Sequence, residues 1–189
     1  MKRLVLAAAV TTLSGVAMAS TVIGLSLEDQ ARLATQVVVG EVLTLEGVDH
    51  PENGLETAVT VRVIRSLKGD VSPGGTVTFH TRSGELDGEI STAVGEAVFR
   101  PGQRTLVFVE SIDGRLYNLG LSYGVFDVRE DDRGRISVVR AIQDGLDIVG
   151  DGPGDGPFSL EEIAARVAYT RKNPRFDHPM VREAFGEGR

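Results

Sequence analysis

The 189-residue chain contains no cysteine. Disulfides, thiol nucleophiles and cysteine-ligated zinc are therefore excluded, and stability must come from a packed core. Histidine is scarce: His50, His80 and His178 are the only three. They form no His-Glu-x-x-His motif and no closely spaced pair, so a zinc site would need distant residues to converge. His50 and His178 each precede a proline, and His80 falls on the polar side of a predicted strand. All three are expected to be solvated surface residues. The ten aromatic residues are not interleaved with basic ones, which argues against binding of single-stranded nucleic acid. No P-loop and no Gly-x-Gly-x-x-Gly motif is present, so nucleotide binding has no support. Basic residues number 20 against 27 acidic ones. That balance makes the chain a poor partner for nucleic acid or anionic lipid.

Long apolar runs are also lacking, with one exception at the start. Lys2-Arg3 precedes an apolar run over 4–16, and Ala17-Met18-Ala19 follows. Charge, apolar run and small-x-small site occur in the order of a secretory signal peptide. Cleavage is expected before Ser20, giving an exported chain, periplasmic or secreted, whose formal charge moves from −7 to −9 as Lys2 and Arg3 leave. The run is too short for a stop-transfer helix, and no later run approaches membrane length, so no span is expected after cleavage. A mature chain of about 170 residues is long enough to bury a sufficient core.

What is there is mostly strand pattern. Two strands are expected at 36–45 and 57–67, joined by a loop at 46–56. Val37-Val38-Val39 does not alternate, so both its faces are expected to be covered. Gly40 suggests a bulge or a close approach. The second strand alternates through Thr57, Val59, Val61 and Val63. Ile64 and Leu67 then fall out of phase, which predicts a bulge or bend near Val63-Ile64. Strands that bend in mid-length suit small closed barrels. A third strand is expected at 76–82, and a Gly- and acid-rich connection at 83–96 with a short strand at 89–93. Leu106-Val107-Phe108-Val109 reads as a central strand over 104–110, and 116–119, 123–129 and 135–140 as three more.

Helical signals flank this β region. Ser26 with Asp29 resembles a capping box opening a helix over 27–35. Residues 144–157 hold five Gly, four Asp and two Pro and read as a linker or wrapping loop. Ser159 and Glu162 form a capping box, and Leu160, Ile163, Ala164, Val167 and Ala168 make one apolar helix face behind it. The tail from Arg171 has two prolines and mixed charge and is expected to be poorly ordered. The fold class expected is mainly β: an OB-like closed or partly open antiparallel barrel with a short N-terminal helix and a C-terminal amphipathic helix. The chain divides into a signal peptide at 1–19, a barrel domain at 20–143, and linker, helix and tail at 144–189.

Three stretches carry a resemblance. They are Gln36-Val37-Val38-Val39-Gly40-Glu41-Val42, then Val59 through Ile64 to Leu67-Lys68-Gly69, and Phe99-Arg100-Pro101-Gly102-Gln103 leading to Leu106-Val107-Phe108. Together they resemble the netrin-like and metalloproteinase-inhibitor (TIMP) OB-fold domain over about residues 25–108. They are also similar to exported bacterial proteins of that layout, continued by a strand like 120–126. The resemblance implies a binding module whose partner is a secreted metalloprotease. In the inhibitors a free N-terminal Cys, followed by Thr, sets its α-amine and carbonyl on the protease zinc. Here the expected start is Ser20-Thr21-Val22, which the resemblance marks as partner-binding. The Thr matches and the Cys does not, and no disulfide is available to hold that end rigid.

Other candidates read as coincidence or solvation. Gly120-Leu121-Ser122-Tyr123-Gly124 matches the nucleophile-elbow spacing, with Asp147 and His178 following in chain order. The elbow needs a strand before it and a helix after it, and 125–130 reads as a strand. Asp144, Asp147, Asp151 and Asp155 offer oxygen ligands for calcium without the spacing of a calcium loop, and read as a solvated acidic linker. No catalytic, cofactor or metal residue is assigned. The reading is a non-catalytic exported binding module. The alternatives are a serine hydrolase using Ser122 and an envelope structural protein.

Overall fold

The computed structural model describes residues 19–150, 152 and 154–185. The expected signal segment up to residue 18 and Asp151 lie outside the described residues. The protein is mainly β. Strand β1, Ser20–Ile23, leads into helix α1, Leu27–Leu33. Ser26 caps α1 as its sequence predicts, its Oγ accepting from the Asp29 N–H at 3.0 Å. Strands β2 (Gln36–His50) and β3 (Gly54–Lys68) follow. They form one long hairpin, so most of the expected 46–56 loop is strand, and only residues 51–53 turn. Next come β4 (Thr76–Thr81), a small ribbon of β5 (Gly84–Leu86) and β6 (Glu89–Ser91), then β7 (Arg104–Ile112) and β8 (Arg115–Asn118). After a 3-10 turn over Leu121–Gly124 come β9 (Val125–Glu130) and β10 (Ile136–Arg140).

The large sheet has eight strands and is partly ring-like. β7 pairs with β2, β2 with β3, and β3 with β4, all antiparallel. β4 meets β8 in a parallel contact at His80 and Tyr117, and β8 returns to β7. Those five strands make a circuit, and β9 and β10 extend the sheet beyond it. The phase slip in β3 has a physical cause. Val39 pairs with Arg65 and Gly40 with Val63, so Ile64 is the extra residue of a bulge. Val37 pairs with Lys68 and Val38 with Ser66, so Leu67 is a second.

The continuous apolar strands serve two cores. Val38, Val107 and Val109 pack inside the ring with Val59, Val61 and Phe79. Val37, Val39, Leu106 and Phe108 point the other way, beneath the helices. There α1 and α2 (Leu160–Thr170) lie together, with Leu27, Ile163 and Val167 fully buried. Ser159 caps α2 by accepting from the Glu162 N–H at 3.0 Å. Lys68 ties β3 to α1: its Nζ donates to the carbonyls of Ala31 and Ala34 at 2.7 and 2.6 Å, satisfying the orphan end of that helix.

The wrapping loop and the tail are more structured than their composition suggests. Strand β11, Leu146–Val149, pairs in parallel with β1, from Ser20 opposite Leu146 to Ile23 opposite Val149. A two-residue strand β12, Phe158–Ser159, pairs with β10. Arg140 holds the loop between them. It is 5% exposed, its guanidinium lies 4.0 Å over the Tyr123 ring and 4.5 Å over that of Phe126, and it donates to the Tyr123 carbonyl. Burial pulls its pKa down to about 10. The tail, expected to be poorly ordered, carries helix α3, Pro179–Phe185. Phe176 and Val181 are buried with Leu25, Tyr123 and Leu146. No helix among the described residues is long and apolar enough to cross a membrane.

Candidate functional site

A groove of about 740 Å³ lies between the β3–β4 edge of the ring, the β5–β6 ribbon and residues 92–99. The ribbon exists because of its turn. Asp87-Gly88 has both residues at positive φ, 53° and 85°, which is the geometry of a tight two-residue hairpin. Glycine also lets it dock. A Cβ on Gly47 would overlap the Glu85 carbonyl, and one on Gly84 would overlap the Glu56 backbone. The ribbon therefore lies on the β2–β3 hairpin through contacts open only to glycine.

The opposite wall is fixed by polar contacts. Glu96 is 4% exposed, and its carboxylate accepts from the Arg82 and Ala97 N–H groups, both at 2.8 Å, and from Asn118 Nδ2 at 2.6 Å. Ser83 Oγ accepts from the Ala93 N–H at 2.9 Å, and its carbonyl from Thr57 Oγ1 at 2.7 Å. Phe99 packs edge-on to Phe79 with centroids 5.4 Å apart. Into this rigid frame project aliphatic side chains that remain wet: Leu45 is 36% exposed, Val98 55% and Ile90 71%. Among the described residues three charged ones line the groove, Glu85, Glu96 and Asp144, and all are acidic.

The segment read as partner-binding does not itself line the groove. The Ser20 N–H donates to the Gly145 carbonyl at 2.9 Å, beside Gln143 and Asp144, which line the groove. Thr21 and Val22 continue along β11 opposite Asp147 and Ile148, with Thr21 exposed and Val22 half-buried. Ser122 bonds to two of the lining residues, Gln143 and Gly95. It is fully buried, its Oγ accepting from the Gln143 N–H at 3.1 Å, while its own N–H donates to Gly95. It sits on a 3-10 turn with a strand on each side, and not at a strand-to-helix elbow. Asp147 is exposed on β11. The backbone N–H of His178 donates to Asp29. The three residues of the elbow reading share no hydrogen bond among the described interactions.

A second, polar cluster closes the ring at its hairpin ends. Glu56 is fully buried and accepts from Tyr117 Oη at 2.8 Å and Asn53 Nδ2 at 3.1 Å, with Arg115 Nη2 also at 2.8 Å. Its partners Asn53, Arg115 and Tyr117 border, with His50 and Asp113, a pocket of about 360 Å³. No composition or spacing signal marked Glu56, because it stands within an unremarkable run ahead of β3's alternation. The histidines are not simply solvated. His50 Nδ1 accepts from the N–H groups of Glu52 and Asn53, and His80 Nδ1–H donates to the Leu116 carbonyl at 3.2 Å. The ring Nδ1 of His178 is buried.

Burial alone would push the Glu56 carboxyl up. The hydrogen bonds from Tyr117 and Asn53 and the charge of Arg115 outweigh it, so the group titrates below the usual glutamate range. A carboxyl whose folded pKa is depressed stabilises the fold above its unfolded value of about 4.3, and that stabilisation is lost as pH falls through the lower folded value. The wild-type protein is therefore expected to lose stability steadily below about pH 4.3. Urea titrations at a series of acidic pH values should give Glu56→Gln a flatter slope there. Parallel slopes would remove Glu56 from the acid response.

Among the described residues no group of three or more His, Asp or Glu side chains converges on a metal position. Asp144, Asp147 and Asp155 are exposed along the wrapping loop. No protein-family model and no curated protein matches the chain.

Proposed function

We propose that the protein is an exported, non-catalytic binding module on an OB-like barrel of the netrin-like and TIMP type, and that its apolar groove takes a segment of a protein partner. The observation that carries this reading is the groove itself: a rigid polar frame holding Leu45, Ile90 and Val98 wet. A groove built only for packing would bury them.

Two further features support it. The five-strand circuit runs β2-β3-β4-β8-β7, with its one parallel contact between the third and fifth strands in chain order, as the OB reading expects. The parallel pairing of β1 with β11 ties the Ser20 end to the wrapping loop, where no disulfide is available. Export rests on Lys2-Arg3, the apolar run and Ala17-Met18-Ala19. A secreted metalloprotease is the partner the resemblance implies, with Ser20, Thr21 and Val22 at the contact.

The test is capture with site variants. The protein, exported with its own leader and immobilised through its C-terminus, is expected to retain a partner from secreted and envelope fractions of its source. Ile90→Asp and Val98→Asp are each expected to lower retention about tenfold or more. A single residue added before Ser20 should abolish retention of a metalloprotease. Retention unchanged in both groove variants would overturn the reading.

A further inference from the structure

Resting on the groove reading, we infer that the groove's occupant is an extended, basic segment of the partner that pairs along β6 as a third strand of the ribbon. The first support is the free edge. β6 pairs with β5 and, among the described residues, with no other strand. A two-residue turn makes Leu86 and Glu89 the hydrogen-bonded pair beside it. The next pair, Glu85 and Ile90, is then the non-hydrogen-bonded kind. The N–H and C=O of Ile90 thus point away from β5, along the open edge. No backbone hydrogen bond reaches them from elsewhere among the described residues. An edge of this kind is a template for strand addition.

The second support is what lies beside the edge. Ile90 and Val98 offer an apolar surface on the groove side. The charges around it are Glu85, Glu89 and Asp144, all exposed, and among the described residues no lysine or arginine lines the groove. An added strand alternates its side chains between the two faces of the ribbon. Aliphatic residues then meet Ile90 and Val98, while Lys or Arg in the alternate positions meets Glu89 on the other face, with Glu85 and Asp144 adding to the negative field at low salt. An acidic segment would place like charges together across the same edge, which is destabilising.

The probes are short peptides of alternating Val and Lys or alternating Val and Glu, titrated against the exported protein by fluorescence anisotropy. The Val–Lys peptide is expected to bind at least about tenfold more tightly than the Val–Glu peptide at low salt. Glu89→Lys with Asp144→Lys should cost about tenfold. Asp132→Lys, on the β9–β10 turn outside the groove, should change nothing. The Ile90 amide should gain protection from hydrogen exchange on binding. Equal binding of both peptides, equal loss in Asp132→Lys, or an Ile90 amide left unprotected would overturn the inference. The groove reading fails separately: a captured partner lost in Ile90→Asp but indifferent to Glu89→Lys and Asp144→Lys would sink the basic segment and leave the groove as the site.

Discussion

Asp29→Ala is expected to lower stability by about 3–5 kcal/mol and to release the C-terminal segment from the body of the protein. Asp29 opens α1, yet its carboxylate serves residues nearly the whole chain away. Oδ1 accepts from Arg32 Nη1 at 2.7 Å and from the Asp177 N–H at 2.8 Å, and Oδ2 accepts from the His178 N–H at 2.7 Å. The carboxylate is fully buried, and the Arg32 side chain is 4% exposed. Truncation strands a buried guanidinium and two backbone donors together. Asp177, the other acid on Arg32, is 63% exposed and compensates weakly. Phe176 and Val181 depend on that anchor to stay in their cluster with Leu25 and Leu146. Urea unfolding measures the loss, and hydrogen exchange at the Asp177 and His178 amides reports the release. A loss under about 1 kcal/mol with both amides still protected would mean the tail is held without Asp29, by its apolar cluster and the Arg32 bond to the Asn173 carbonyl.

The same residue illustrates what a sequence conceals. Ser26 and Asp29 read correctly as a helix start, because capping is local chemistry within one turn. That the Asp29 side chain also fixes a tail with two prolines is set by tertiary contact, and no spacing encodes it. The β-region divides in the same way. Ile64 and Leu67 broke the alternation of β3 at the residues where the register slips, since an inserted residue must show as a change of phase. Val37-Val38-Val39 and Leu106-Val107-Phe108-Val109 pointed to strands covered on both faces, and the two cores cover them. The far end of the β2–β3 hairpin was missed because Glu46, Gly47, Asp49 and Glu52 carry no apolar pattern; its strands are held there by backbone pairing. The β1–β11 pair joins two short segments from opposite ends of the domain, neither with a strong strand signal. Of the groove, the stretch 83–96 read only as a connection with a short strand at 89–93, although Asp87-Gly88 within it turns the β5–β6 hairpin. Leu45, Ile90 and Val98 come from three separate segments, and only the assembled fold sets them side by side.

Gly47→Val is expected to abolish groove-dependent binding while leaving most of the ring intact. Gly47 needs no unusual backbone angle; what it needs is room. The Glu85 carbonyl occupies the space a Cβ would take. The ribbon cannot simply back away, because Gly84 is pressed against the backbone of Glu56 by the same kind of contact. A branched side chain at 47 must therefore lift β5, and β6 rises with it through their shared pairs. Ile90 and Ser91 leave the groove wall, and the wall on their side is lost. The cost in global stability should be about 1–3 kcal/mol, the range for forcing an oversized side chain into a tight site. The two cores contain no residue of the ribbon and should hold. Gly47→Ala makes the same collision with a smaller group and should fall between wild type and Gly47→Val in both measurements. Hydrogen exchange at Leu86 and Ser91, whose N–H groups belong to the hydrogen-bonded pairs of the ribbon, separates the local from the global effect. Faster exchange there, with Val61 and Val107 unchanged, is the result this geometry demands. Unchanged exchange in the ribbon, with partner capture intact, would mean that the ribbon does not depend on Gly47 for its seat and that the groove survives without that contact.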